Sequence, residues 1–371
     1  MIDAFFWISF FLFLYAYLGY PLLINILSFI KSRPIKKLDS VNLPDVTVIL
    51  SVYNAEKMIV DRLNNLLDLE FPSAKLRVLV VSDGSTDKTV KLVEQLQNER
   101  IQCIAYQENR GKAYALSQAL QLVDSEYTLF ADVRQQFQRD TLKELLSFFH
   151  DPKVGAVTGN LIIADGKGTP GLYWKYEKNI RLAESRYQSL IGVTGAVYLA
   201  KTKLIPKFLP QGLLLDDMYI PLQIVLQGFQ VKFCPTAIAT DKASASLKEE
   251  FDRKVRTLAG NYQLLKCLPW TLNPAKNPLW FQLMSHKVLR LIIPYLLILM
   301  LISSAVSSDW LVRSAFFAQI LCYLLAIISY FWLYRVKGKS NIVLTFCMLN
   351  LAALKASMVL STTPQNLWKR R

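Results

Sequence analysis

The sequence predicts an α/β fold, a mostly parallel sheet covered by helices and flanked by transmembrane helices. Three observations predict it. Between residues 45 and 240 short apolar runs alternate with segments of helical periodicity, the order that produces parallel strands joined by covering helices. Three of the runs end in polar or acidic groups, at Tyr53 and Asn54, at Asp83 and at Asp132. Apolar stretches long enough to cross a bilayer stand at both ends of the chain.

A hydrophobic share of 53% and a mean hydropathy of +0.26 are too high for an ordinary soluble domain, so part of the chain belongs in lipid. Residues 4–30 carry no charge and exceed the roughly 20 residues that span a bilayer. Asp3 precedes them and Lys31, Arg33, Lys36 and Lys37 follow, unlike a secretory signal, so a retained transmembrane helix is expected. Cytoplasmic flanks carry the excess of Lys and Arg, which puts the middle of the chain in the cytoplasm. Further apolar stretches lie near 287–307, 311–334 and 341–362. Arg335, Lys337 and Lys339 obey the same rule, but three full crossings would leave Lys369, Arg370 and Arg371 outside. Either the last stretch, which contains Asn350 and Lys355, lies in the interface or re-enters, or the rule is broken. The five cysteines are scattered without close pairs, which suggests neither disulfides nor a zinc site and suits a reducing compartment. Much of the net charge of +15 sits beside apolar segments and in one amphipathic stretch. Membrane lipid is therefore the expected partner of that charge, and nucleic acid is not.

In the middle of the chain VTVILSV (46–52), RVLVVSD (77–83), IQCIAY (101–106) and YTLFAD (127–132) read as strands, with helices near 56–69, 86–99, 112–122 and 140–149. VGAVTGN (154–160), VTGAVYLA (193–200) and VKFCPTAIA (231–239) read as further strands, and 172–189 as a long helix. Carboxyl ends of parallel strands share a crevice, so Asp83 and Asp132 are expected to be neighbours. The segment SDGSTD alone decides little: a strand-end Asp followed by a Ser85 or Thr86 helix cap occurs without any ligand, and Asp87 reads as a first-turn residue favoured by the helix dipole. LLLDDMYIPLQIVLQG starts a helix with two carboxylates, one of which reads as its cap, and ends it at Gly228. KEEFDRKVRTLAGNYQLLK has Phe251, Val255, Leu258, Tyr262 and Leu265 at helical spacing between basic residues, the pattern of a helix on a membrane surface; residues 245–284 are assigned to this interfacial segment. His150 and His286 read as a loop and a juxtamembrane residue, without the partners of a triad or a metal site.

SVYNAEKMI, SDGSTDKT, NRGKAYALSQAL, FAD, TGAVYLA, LLLDDMYIPLQIVLQGFQV and DRKVRTLAGNYQ, in that order, resemble the family 2 glycosyltransferases, in the membrane-integral branch related to cellulose and hyaluronan synthases. The resemblance covers roughly residues 45–265. It implies a nucleotide-sugar-binding domain of GT-A type over 45–240, a nucleotide-sugar donor and inversion at the anomeric carbon. In that reading Tyr53 and Glu56 line the nucleotide site, with Glu56 accepting a ribose hydroxyl and Asp83 the imide N–H of uracil. Lys112, at a helix N-terminus after Asn109, Arg110 and Gly111, reaches the diphosphate. Asp132 is the first of two acidic residues that members use to hold a divalent cation, Mg2+ or Mn2+; Arg134 stands at the second. Either Asp132 and donor phosphates hold the metal alone, or Arg134 supplies positive charge itself. Asp217 falls at the catalytic base, with Asp216 as helper or cap. Thr194 and Gly195 match an acceptor wall. Arg256 keeps the arginine of a motif whose glutamine and tryptophan are Arg253 and Thr257 here.

The resemblance thus implies a glycosyltransferase integral to the bacterial inner membrane, with its catalytic domain in the cytoplasm. Its donor would be a nucleotide sugar, most simply a UDP-sugar, and its acceptor lipid-linked or a glycan, in polysaccharide synthesis. A processive polysaccharide synthase and a non-catalytic membrane scaffold that binds nucleotide sugar remain as alternatives.

Overall fold

In the computed structural model, which describes residues 2–30, 43–164, 172–242, 247–334 and 342–359, the chain forms two compact units. One contains Ser28–Pro170 and Arg181–Ala243; the other contains Met1–Leu27, Gly171–Ile180 and Ser244–Thr363.

The first unit holds an eight-stranded sheet. Its strands are β1 (Val46–Val52), β2 (Leu76–Asp83), β3 (Ile101–Tyr106), β4 (Tyr127–Ala131), β5 (Gln136–Phe137), β6 (Val154–Ala164), β7 (Val197–Lys201) and β8 (Gln230–Lys242), in the order β3-β2-β1-β4-β7-β6-β8-β5. β1, β2, β3 and β4 run parallel, so their carboxyl ends share one rim. β7 is antiparallel to both β4 and β6, with Ala131 opposite Val197. The segment entering β7 therefore starts at the rim where β4 ends. β6 and β8 are parallel, and β5 runs antiparallel to β8.

The apolar runs form strands because both faces are covered. In β1, Val46, Val48, Leu50 and Val52 pack with Ile59, Leu63 and Leu66 of the helix Ile59–Leu67, while Ile49 between them is buried as well. A strand buried on both sides reads as a continuous apolar run.

Several local expectations are corrected. The helices near 56–69, 86–99 and 140–149 shorten to Ile59–Leu67, Thr89–Gln95 and Thr141–Leu146. Neither Ser85 nor Thr86 caps the second of these, which begins after Lys88 with no side-chain cap. Residues 193–196 precede β7 rather than belonging to it. β5 was not anticipated, and it owes its place to side chains. Asn65 accepts the Phe137 N–H at 2.8 Å and donates to the Phe137 carbonyl at 2.9 Å. Arg62, fully buried, lies 4.0 Å over the Phe137 ring and donates to Asn65 Oδ1 at 2.6 Å and to the Asp132 carbonyl at 3.1 Å. Burial pulls this guanidinium down to about 9, against the opposing pull of Asp132.

The second unit is helical. Four spans, Ile2–Ile30, Trp280–Val306, Trp310–Trp332 and Ile342–Val359, are long and apolar enough to cross a membrane. The basic flanks at 31–37, 335–339 and 369–371 lie outside the described residues. Leu247–Cys267 is one helix, but it buries Val255, Ala259, Gly260, Asn261 and Leu264, a stripe displaced from the expected one that shares only Val255 with it. Asn350 uses its amide inside its own helix, donating to the Phe346 carbonyl at 2.9 Å.

His286, read as a juxtamembrane residue without the partners of a triad or metal site, has an acidic partner instead. It is buried inside the span Trp280–Val306, and its Nε2 lies 3.2 Å from Glu177, whose other oxygen is bonded by Arg290. Arg290 also donates to the Tyr176 hydroxyl at 3.2 Å. Burial would raise the Glu177 carboxyl, but Arg290 and then His286 hold it well below its ordinary 4.5. A carboxyl depressed in the folded state contributes stability in full above its unfolded value and loses it as pH falls through the folded one. Glu177→Gln should therefore lower the stability of the purified protein by about 3 kcal/mol at pH 7. The deficit should shrink as the pH is brought below 4.5, in a thermal-unfolding series; equal midpoints at pH 7 would contradict the pairing.

Candidate active site

The loops after β1 and β2 are zipped together by reciprocal hydrogen bonds. Asn54, at φ +48°, donates its N–H to Ser85 Oγ at 3.0 Å and accepts the Thr86 N–H at 2.8 Å. The Ala55 N–H donates to Thr89 Oγ1 at 2.7 Å, the Glu56 N–H to Asp87 at 3.0 Å, and the Lys88 N–H to the Glu56 carboxylate at 3.2 Å. These bonds occupy residues 84–88 and delay the helix to Thr89. Asp87 is thus a loop staple before that helix, accepting from the Thr89 N–H and hydroxyl as well. Tyr53 presents an exposed ring at the same rim and Glu56 is half-buried.

Asp83 is buried, and its carboxylate clamps the next loop. One oxygen accepts the Arg110 N–H at 2.9 Å and the other the Gly111 N–H at 2.8 Å. Each oxygen keeps a second lone-pair direction. Asn109 donates to the Asp83 carbonyl at 3.1 Å. Gly84 permits this approach: its φ is +72°, and a Cβ there would lie 2.4 Å from the Asn109 nitrogen.

The clamped loop starts the helix Lys112–Leu122 and aims its first residue at the rim. Lys112 Nζ lies 3.1 Å from Asp132 Oδ1 and 3.4 Å from Asp216 Oδ2. Burial would lower this ammonium, but Asp132, Asp216 and Asp217 outweigh it and hold Lys112 above its ordinary 10.5. The two adjacent aspartates open the helix Asp216–Leu226, yet neither caps it: the cap position is Leu215, without a side-chain bond. The expected cap role of Asp216 is replaced by its pairing with Lys112. Asp217 is pressed against the segment entering β7. A Cβ on Gly195 would sit 3.2 Å from Asp217 Cβ, and the Asp217 carbonyl accepts the Val193 N–H at 2.8 Å. Thr194 accepts from Arg181 at 2.8 Å, and its N–H donates to Thr158 Oγ1 at 2.9 Å.

Three participants escaped the sequence. Tyr198 is fully buried, stacks on Phe130 at 4.3 Å, and its hydroxyl has no hydrogen-bond partner among the described residues. Burial and then Asp216, Asp217 and Asp132 push this phenol well above 10. Its place opposite Phe130 on β4 was hidden until the antiparallel pairing of β7 was known. Asp241, buried on β8, lies 3.5 Å from Arg134 and accepts from Gln135 at 2.6 Å. Arg62 holds the carbonyl of Asp132 from beneath.

Asp83, Lys112, Asp132, Asp216, Asp217 and Gly195 are thus joined through one contiguous set of contacts, while Tyr53 and Glu56 stand on the adjoining β1 loop. Arg134 turns to Asp241. Arg256 stands half-buried on Leu247–Cys267 of the helical unit. Among the described residues no three His, Cys, Asp or Glu side chains form a metal-binding group. The partly exposed Asp132 can give one hard oxygen, so the residues fit a divalent cation held jointly with phosphate oxygens of a ligand, not one caged by protein alone.

A mixed α/β domain whose charged side chains gather at the carboxyl ends of its parallel strands is of the ligand-binding, open-sheet class. Residues 47–205 match the family model for glycosyl transferase family 2. The chain is 27% identical over 269 residues to a poly-beta-1,6-N-acetyl-D-glucosamine synthase of Staphylococcus aureus (strain COL), covering 70% of this chain and 65% of the relative. To the synthase of that name from Staphylococcus epidermidis it is 24% identical over 284 residues, 73% of this chain and 68% of the relative. It thus spans just under two thirds of the length of the first of these curated relatives. The mannosyltransferase PcManGT from Pyrobaculum calidifontis, solved in complex with GDP-Man and Mn2+, superposes with a TM-score of 0.73 and 20% identity, covering 100% of both chains. That likeness establishes a GT-A-like fold.

Gly84→Ala should cost about 3 kcal/mol, combining the left-handed backbone with a backbone clash that no side-chain rotation relieves. A wild-type unfolding midpoint for that variant would contradict the clamp between the second and third loops.

Proposed function

We propose that the protein is a membrane-integral inverting glycosyltransferase of polysaccharide synthesis, working at the cytoplasmic face of the bacterial inner membrane. It would move a sugar from a UDP-sugar to a glycan or lipid-linked acceptor. The observation that carries this reading is the gathering of Lys112, Asp132, Asp216 and Asp217 at one rim of a family 2 domain. The four long apolar helices support the membrane placement. Similarity to poly-N-acetylglucosamine synthases supports a glycan product.

In this mechanism Asp83 and Glu56 accept hydrogen bonds from the base and ribose, and the exposed Tyr53 ring offers a stacking face. Asp217 accepts the proton of the acceptor hydroxyl while that oxygen attacks the anomeric carbon, and the bond from this carbon to the diphosphate oxygen breaks. Lys112, already charged, meets the negative charge that grows on the departing diphosphate. Asp216 keeps Lys112 in place, and Thr194 and Gly195 border the acceptor beside Asp217. A divalent cation held by Asp132 and the donor phosphates would neutralise charge on that diphosphate; Arg134, tied to Asp241, is not its ligand.

Asp217→Asn should lower transfer of labelled sugar by about 10²- to 10⁴-fold with donor affinity nearly unchanged. Full transfer by that variant would reject Asp217 as the base. The synthase relatives favour processive elongation, which predicts long products from purified protein; a single added sugar would exclude it.

A further inference from the structure

Within the helical unit a cavity of about 740 Å³ lies among the helices Leu289–Val306, Trp310–Ser329 and Ile342–Val359 and the first turns of Leu247–Cys267. Its wall is almost entirely apolar, with Leu297, Leu301, Ile327, Phe331 and Leu351 typical of it, and among the described residues Lys248 is the one basic side chain on it. Phe251 lines the same cavity and carries the Lys355 ammonium 5.3 Å from its ring centroid. A narrow adjoining cleft shares Leu247 and Phe251 and holds Lys254 with Glu250. Lys248, Lys254 and Lys355 thus stand at these two spaces with Glu250, and Glu249 lies in the same first turn of the helix.

These features select among occupants. A sugar chain would exchange water for carbon, and each unbonded hydroxyl costs about 1–3 kcal/mol, so glycan is excluded from this cavity. A hydrocarbon chain fits, but inside a bilayer it gains little over its lipid neighbours, which are equally apolar. Selectivity must come from the polar end, where the excess of lysine favours an anionic headgroup by roughly 1 kcal/mol per basic residue. At about 30 Å³ per methylene-sized group the cavity has room for on the order of twenty-five such groups, enough for one long chain.

The geometry points to a binding site for a single-chain lipid phosphate, with its hydrocarbon in the cavity and its phosphate at Lys248. This deepens the transferase reading by naming the lipid of a lipid-linked acceptor. It rests on that reading for its role but not for the binding itself.

The test uses the full chain in nanodiscs of neutral lipid and a single-chain alkyl phosphate bearing a mid-chain diazirine. Photolabelling should map to residues such as Phe331 and Leu351, and the same chain ending in a hydroxyl should label about fivefold less. Lys248→Gln should lower labelling by the same factor. Leu351→Trp, at an exposed position that also borders the cavity, should lower it by filling the space without disturbing the fold. Equal labelling by phosphate and alcohol, equal labelling of both variants, or adducts spread evenly over the apolar helices would overturn the site. So would displacement of the probe by equimolar inorganic phosphate or by a two-chain phosphatidylglycerol. Labelling needs no nucleotide sugar, so a protein that labels but transfers nothing loses the transferase reading alone, and one that transfers without labelling loses only the lipid site.

Discussion

The ammonium of Lys112 is what allows three aspartates to share one rim. Asp216 is buried, and its Oδ2 has no hydrogen bond among the described residues, meeting Lys112 at 3.4 Å instead. Without that cation the carboxylates of Asp132, Asp216 and Asp217 would repel one another with no opposing charge from Lys112. Much of the surrounding architecture serves this placement. Asp83 clamps the loop that begins the Lys112 helix, Gly84 admits the loop, and Arg62 fixes the carbonyl of Asp132 from the core. Tyr198 supplies an apolar ring beneath the cluster, with a phenol kept protonated by burial and by the acids around it.

The same constraint explains what happens at the position of the second metal-binding acid. Arg134 would add a free cation next to Lys112, but Asp241 neutralises it at 3.5 Å and is itself bonded by Gln135. The ammonium that faces the partly exposed Asp132 in the crevice is that of Lys112, at 3.1 Å. An anionic diphosphate entering it finds an ammonium already charged and already desolvated, which lowers the reorganisation needed to stabilise a departing phosphate.

Parts of this were legible in the sequence for physical reasons. The strands β1, β2 and β4 are buried on both faces, so their apolar runs announce them, and parallel pairing brings Asp83 and Asp132 to one rim. Lys112 was legible as a cation at a helix start. What stayed hidden depended on pairing across distance. Nothing in TGAVYLA signals that β7 runs antiparallel beside β4, so the placing of Tyr198 on Phe130 could not be seen. Arg62 sits on an amphipathic helix, where an arginine ordinarily faces water; the ring of Phe137, the Asp132 carbonyl and the Asn65 side-chain oxygen make it a core residue. Asp216 looked like a helix cap because caps are local, whereas its partner lies more than a hundred residues earlier in the chain. His286 looked isolated because Glu177 belongs to another helix.

The most direct measurement of this account is a double-mutant cycle between Lys112→Met and Asp216→Asn, read as unfolding free energy in denaturant. Side chains that meet in a poorly solvated crevice should couple by about 1–3 kcal/mol, with the double variant less damaged than the sum of the singles. Additivity within about 0.5 kcal/mol would mean that the ammonium and the carboxylate do not meet, and the convergence on which the site is built would fail.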